Sequence, residues 1–160
     1  MTGAVDIELQ FQVQDLQARY ADCLDEGRFE EWPDFFTPDC VYKIISWENF
    51  DQGLPLGVID CDSQAMLRDR ISALRDANIY EEHRYRHILS TTLIDGEDAD
   101  GIRARTPYHV TRIMRDGATM TFSTGCYRDR IVRAGDALRF AEKLVVFDGR
   151  GIDTLLVIPL

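Results

Sequence analysis

The stretch GIRARTPYHVTRIMRDGATMTFSTGCYRDRIVRAGDALRFAEKLVVF, residues 101–147, decides the fold. It holds three runs rich in β-branched and aromatic residues, broken at Asp116-Gly117 and Gly135-Asp136. Such pairs between extended runs are hairpin signals, because they accept the backbone angles a tight turn requires. The reading predicts strands at 101–115, 118–133 and 137–148. Working outward, Gly96 to Gly101 separates these from a strand near 84–95, and a short run at 153–158 predicts a last strand.

Upstream of residue 80 the period changes from two to between three and four. Phe11 (or Val13), Leu16, Tyr20, Cys23 and Leu24 form one apolar stripe, which predicts a helix over 6–26 ended by Gly27. A short second helix runs from Arg28 to Phe36, with Pro33 early enough to be tolerated. Cys40 to Trp47 reads as a strand, and Glu48 to Gly57 as a loop. Residues 63–77 form another helix, N-capped by Ser63, with Leu67, Ile71 and Leu74 inward. Helices first and a strand meander after them define one α+β domain over 1–160: helices packed on one face of a curved, mostly antiparallel sheet.

Leu144, Val145, Val146 and Phe147 are apolar on both faces of their strand, and the chain ends in Leu155-Leu156-Val157-Ile158-Pro159-Leu160. With helices on one face, such strands need cover on the other. Another subunit would supply it, or a long loop of the chain itself.

The net charge of −10 and pI near 4.7 argue against a nucleic-acid-binding surface. No run approaches the roughly 18 apolar residues of a membrane span, and no secretory leader is visible. Cysteines 23, 40, 61 and 126 are too scattered for a metal knuckle or a redox pair. A reduced, cytoplasmic protein is expected.

Three histidines are present, His83, His87 and His109. The first two are four apart, a metal-binding spacing on a helix, but the flanking residues read as a strand that sets the rings apart. His87 shares a strand face with Tyr85, Leu89 and Leu93 and is expected to point inward. Tyr20 and Asp25 lie on or near the inward side of the first helix. His109 has the parity of Arg103 and Arg105, unless Pro107 marks a bulge. Tyr20, Asp25, His87 and His109 converging in a concave sheet would suit proton abstraction beside a carbonyl. The alternative is a core histidine bonded to a helix carboxylate.

Of the positive residues 16 are Arg and two, Lys43 and Lys143, are Lys. Arg84/Arg86, Arg103/Arg105 and Arg128/Arg130 each occupy one strand face. They form either a basic stripe for a partner's carboxylates or a solvated face paired with the chain's own acids.

Glu31-Trp32-Pro33-Asp34-Phe35-Phe36-Thr37-Pro38-Asp39-Cys40-Val41-Tyr42 resembles the W-x-x-x-F-x-x-D-x-x-Y pattern of the small subunits of aromatic-ring-hydroxylating dioxygenases. Arg86-His87-Ile88-Leu89-Ser90 resembles their Arg-His strand start, and Phe140 to Asp148 with Ile158-Pro159-Leu160 their closing segments. The order holds from about residue 10 onward.

The resemblance implies a cystatin-like cone of the nuclear-transport-factor-2-like kind. It also implies a structural role beside a large catalytic subunit, three of each. The large subunit would carry a Rieske iron–sulfur cluster and a mononuclear Fe(II), with a reductase supplying electrons from NAD(P)H to oxidise an aromatic acid. No catalytic residue, cofactor or metal is then expected in this chain, since a Rieske centre needs paired Cys and His that the sequence lacks. Contacts with the large subunit are expected at Trp47, Arg84, Arg86, Leu156 and Leu160. The same cone also resembles lyases of the scytalone-dehydratase and polyketide-cyclase kinds, for which Tyr20, Asp25, His87 and His109 would be the working set. A stand-alone ligand-binding cone is the third class.

Overall fold

The computed structural model describes residues 6–76, 80–150, 156 and 158–160. Helix α1 (Ile7–Asp25) begins at Asp6, whose carboxylate accepts from the Leu9 N–H at 3.1 Å. Its buried stripe is Leu9, Val13, Leu16, Tyr20 and Leu24; Val13 takes the inward place and Phe11 stays exposed. Gly27, at φ 72°, supplies the left-handed turn that ends the helix. The second helix is a tight 3-10 segment, Phe29–Phe35. Next come β1 (Phe36–Ser46), a short α2 (Trp47–Asp51) inside the expected loop, and an unforeseen β2 (Ile59–Cys61). Helix α3 (Gln64–Asp76) is capped as expected, with Ser63 Oγ accepting from the Met66 N–H.

The run at 84–95 divides into β3 (His83–Leu89) and β4 (Leu93–Asp98). Then follow β5 (Gly101–Met114), β6 (Thr119–Ala134) and β7 (Ala137–Phe147). The sheet order is β2-β1-β7-β6-β5-β3, with β4 on the same side of β5 as β3. All pairings are antiparallel except β1 with β7. The strand expected at 153–158 falls largely outside the described residues, and Leu156 and Ile158 are not in a strand.

Pro107 falls between the β3 and β4 segments of the β5 edge. Leu89 pairs with Tyr108, and Leu93 with Arg105. A missing N–H costs nothing in that gap. The register holds through Pro107 and shifts only between Val110 and Thr111. Gly125 sits where an added Cβ would lie 2.0 Å from the Val146 oxygen, so β6 bends onto β7 only because that position has no side chain.

The core lies between the helices and the inner sheet face, and is largely aromatic: Tyr20, Trp32, Phe36, Tyr42, Tyr127 and Phe140 are fully buried. The two-faced apolar strand β7 is central. Val145 and Phe147 face the core, while Leu144 and Val146 face outward. Arg128, beside Leu144 on the outer face, lies over the Phe50 ring, which places α2 on that face. Of the two sources of cover expected for this face, the chain's own segment supplies part: Val146 is buried and Leu144 stays half-buried. The C-terminal residues differ from expectation. Leu156, Ile158 and Leu160 are buried in this chain's own core, with Leu160 at 0% exposure, so they are not an outer docking strip.

Candidate functional site

Asp25 ends α1 and aims its carboxylate at β3. Both of its oxygens accept from the His87 main-chain N–H, at 3.0 and 3.1 Å, and one accepts from His87 Nδ1 at 2.6 Å. A carboxylate acceptor places the ring proton on Nδ1 and leaves Nε2 as a bare acceptor. Nε2 is buried and has no hydrogen-bond partner among the described residues. The pair borders a polar cleft of about 500 Å3 between α1 and the end of β3, walled by Gln14, Gln17, Asp22 and Ser90.

The other two members of the expected set do not reach this cleft chemically. Tyr20 donates its hydroxyl to the Leu160 main-chain oxygen at 2.7 Å, and Tyr42 donates to the same oxygen at 2.9 Å. The Tyr42 hydroxyl also accepts the Leu160 N–H at 3.1 Å. Four rings, Phe35, Phe36, Tyr127 and Phe140, stand edge-on around Tyr20, and burial pushes its phenol well above the ordinary range. It therefore stays a proton-bearing donor, spent on the tail. His109 keeps the parity of Arg103 and Arg105 and lies on the outer face, 3.4 Å from Thr121 Oγ1. Only Asp25 and His87 come together; Leu93, expected on the His87 face, is exposed.

The expected docking residues divide. Trp47 is 54% exposed, and Leu54, Leu56 and Val58 follow it as exposed apolar residues. Arg84 and Arg86 are exposed at the sheet edge and reach back to α1: Arg86 to the Asp25 carboxylate at 3.6 Å, Arg84 to Glu26 at 4.0 Å. Arg103 and Arg105 pair with Asp98 and Asp95. Much of the arginine stripe thus answers the chain's own acids.

Sequence reasoning passed over the most unusual group. Lys143 is fully buried on the inner face of β7 and pairs in register with Asp129 of β6. Its ammonium donates to Asp129 at 3.0 Å and to Gln17 Oε1 at 3.1 Å, and lies 3.8 Å from the Tyr127 ring centre and 4.1 Å from that of Phe140. Burial lowers the Lys143 pKa to about 8 despite the neighbouring carboxylate, and burial raises that of Asp129. The signal was available: Asp129 has the parity of Tyr127 and Ile131, and Lys143 interrupts an apolar run.

The residues present do not fit a Rieske cluster, which takes two Cys and two His. Cys23, Cys40 and Cys61 are buried apart from the three histidines, His87 is held by Asp25, and His83 packs on Tyr80 and Tyr85. Among the described residues no group of three His, Cys, Asp or Glu is placed to hold a metal ion. No helix among them is long and apolar enough to cross a membrane.

Residues 5–143 match the SnoaL-like domain family, whose fold is this cone. The chain is 46% identical over 151 residues to a terephthalate 1,2-dioxygenase terminal oxygenase component subunit beta 2 of Comamonas sp, covering 94% of this chain and 98% of that one. It is 42% identical over 155 residues to an anthranilate 1,2-dioxygenase small subunit of Burkholderia cepacia, covering 97% and 96%. A crystal structure from Novosphingobium aromaticivorans, assigned as the beta subunit of an aromatic-ring-hydroxylating dioxygenase, superposes with a TM-score of 0.89 at 38% identity, covering 98% and 99%. The chain belongs to the small (beta) subunits of aromatic-ring-hydroxylating dioxygenases.

Proposed function

We propose that this chain is the structural, non-catalytic subunit of a Rieske oxygenase, assembled as three large and three small subunits in the cytoplasm. The large subunit carries the Rieske cluster and the mononuclear Fe(II), and a reductase delivers electrons from NAD(P)H. The substrate is an aromatic carboxylic acid, terephthalate by the likeness to the Comamonas subunit. One observation carries the non-catalytic reading: the chain's own tail occupies the cone, and the Leu160 main chain takes up the hydroxyls of Tyr20 and Tyr42. A lyase using Tyr20, Asp25, His87 and His109 would need the Tyr20 hydroxyl and His109 facing a substrate. Docking falls to Trp47 and the loop after it, with Arg84 and Arg86 at the sheet edge.

Co-expression with the large subunit, followed by size-exclusion chromatography with light scattering, tests the assembly. A brown hexamer with all iron in the large subunit supports it. A colourless small oligomer that takes no partner overturns it. Turnover of terephthalate against anthranilate by the assembled complex then tests the substrate.

A further inference from the structure

Four arginines crowd the outer face of β5 and β6. Arg103 stands directly across from Arg130, and Arg105 directly across from Arg128. Like charges opposite one another on antiparallel strands destabilise the pairing. The chain answers two of the four. Asp95 takes Arg105 in a fork at 2.7 and 2.8 Å, and Asp98 takes Arg103.

The other two have weaker company. Arg130 donates to the Asp100 main-chain oxygen at 3.1 Å. Arg128 lies over the Phe50 ring at 4.9 Å, and its Nε is buried with no hydrogen-bond partner among the described residues. Neither forms an ion pair with a carboxylate among those residues, although Glu142 stands beside Arg130 in register. Arg128 and Arg130 border a shallow cavity of about 250 Å3 with room for a carboxylate side chain. With Asp129 taken up by Lys143, the four arginines face Asp95, Asp98 and Glu142, which leaves the patch one positive charge on a chain whose total charge is −10.

The patch is continuous with apolar surface. Arg128 leads through Phe50 to α2, where Trp47 is exposed, and beyond it to exposed Leu56 and Val58. A forked cation pocket beside an aromatic anchor is the composition of an interface centre.

We propose that Arg128 and Arg130 receive carboxylate side chains of the large oxygenase subunit, with the α2 surface as the apolar half of the same contact. This rests on the small-subunit reading above. A two-fold contact between copies of this chain is disfavoured at the patch, because it sets arginines against arginines.

The test compares wild type, Arg128→Gln/Arg130→Gln and Arg128→Glu/Arg130→Glu, each titrated onto the large subunit at several salt concentrations. The neutral variant relieves like-charge crowding, so its Tm alone should equal or exceed that of wild type. Its affinity for the large subunit should fall by roughly tenfold or more per arginine, with a flatter salt dependence. The reversed variant should fall further. Wild-type affinity and salt dependence in a folded Gln/Gln variant would overturn the assignment. So would an effect confined to self-association of the small subunit. If wild type itself binds no large subunit, the small-subunit reading fails first, and the patch assignment falls with it.

Discussion

Replacing Lys143 with methionine keeps most of the length of the side chain and removes its charge, which strands the fully buried Asp129 carboxylate. Breaking a buried pair from one side costs about 3–5 kcal/mol, because the remaining charge has neither water nor partner. The ammonium's contact with the Tyr127 and Phe140 faces adds about 1 kcal/mol to the loss. A domain of this size loses roughly 2–4 °C per kcal/mol, so Tm should drop by about 8–24 °C. Asp129 can limit the damage by taking a proton. Its folded pKa then lies above its unfolded value, so the variant is relatively more stable in acid and loses that advantage as pH rises through the folded value. The double variant Lys143→Met/Asp129→Asn leaves no buried charge, keeps an acceptor for Gln17, and should recover most of the loss. Wild type carries a second signature. Lys143 titrates near 8 when folded and near 10.5 when free, so the unfolded chain binds more protons between those values. Wild-type stability relative to the double variant should therefore rise from about pH 8 to 10.5. Urea unfolding of the chain at several pH values reads all of this. A single variant as stable as wild type at pH 8, or a double variant no better than the single, would refute the buried-pair account.

Leu156→Asp should destabilise the chain itself by about 3 kcal/mol or more, since it buries a carboxylate in the core; thermal melting without any partner would show it. Trp47→Ser should do the opposite, leaving the melting of the isolated chain within about 0.5 kcal/mol of wild type while weakening the complex with the large subunit in a binding titration. Asp25→Asn removes the charge and exchanges one of the two accepting oxygens for an NH2 donor facing the His87 N–H groups, at a cost of about 1–3 kcal/mol. Turnover of the assembled oxygenase should survive that change when assayed at a temperature where the variant is folded, and loss of turnover there would place His87 in the chemistry.

The element order was legible because its signals are local. The stripe through Leu16 and Tyr20, the Ser63 cap and the Asp116-Gly117 turn depend on neighbours a few residues away. The Asp25–His87 meeting was legible too, because parity and helix face are both periodic. What escaped depends on long-range partners. Nothing local says that β1 lies parallel to β7, or that Leu160 reaches Tyr20 and Tyr42. For the same reason, the apolar end at Leu160 read as surface awaiting a partner when it is core. Lys143 was missed because charge alone suggests solvent, and only the cross-strand register to Asp129 reverses that.

The parallel pairing of β1 with β7 bears on when this molecule can be made. Val41 lies against Glu142 and Ser46 against Phe147, so the strand synthesised first waits about a hundred residues for its neighbour. While the ribosome is still producing β5 and β6, Tyr42 and Ile44 have only the short β2 beside them, and the β7 edge of their strand stands open to other chains. Closure of the sheet thus waits for translation of the last strand, long after the helical half has been made.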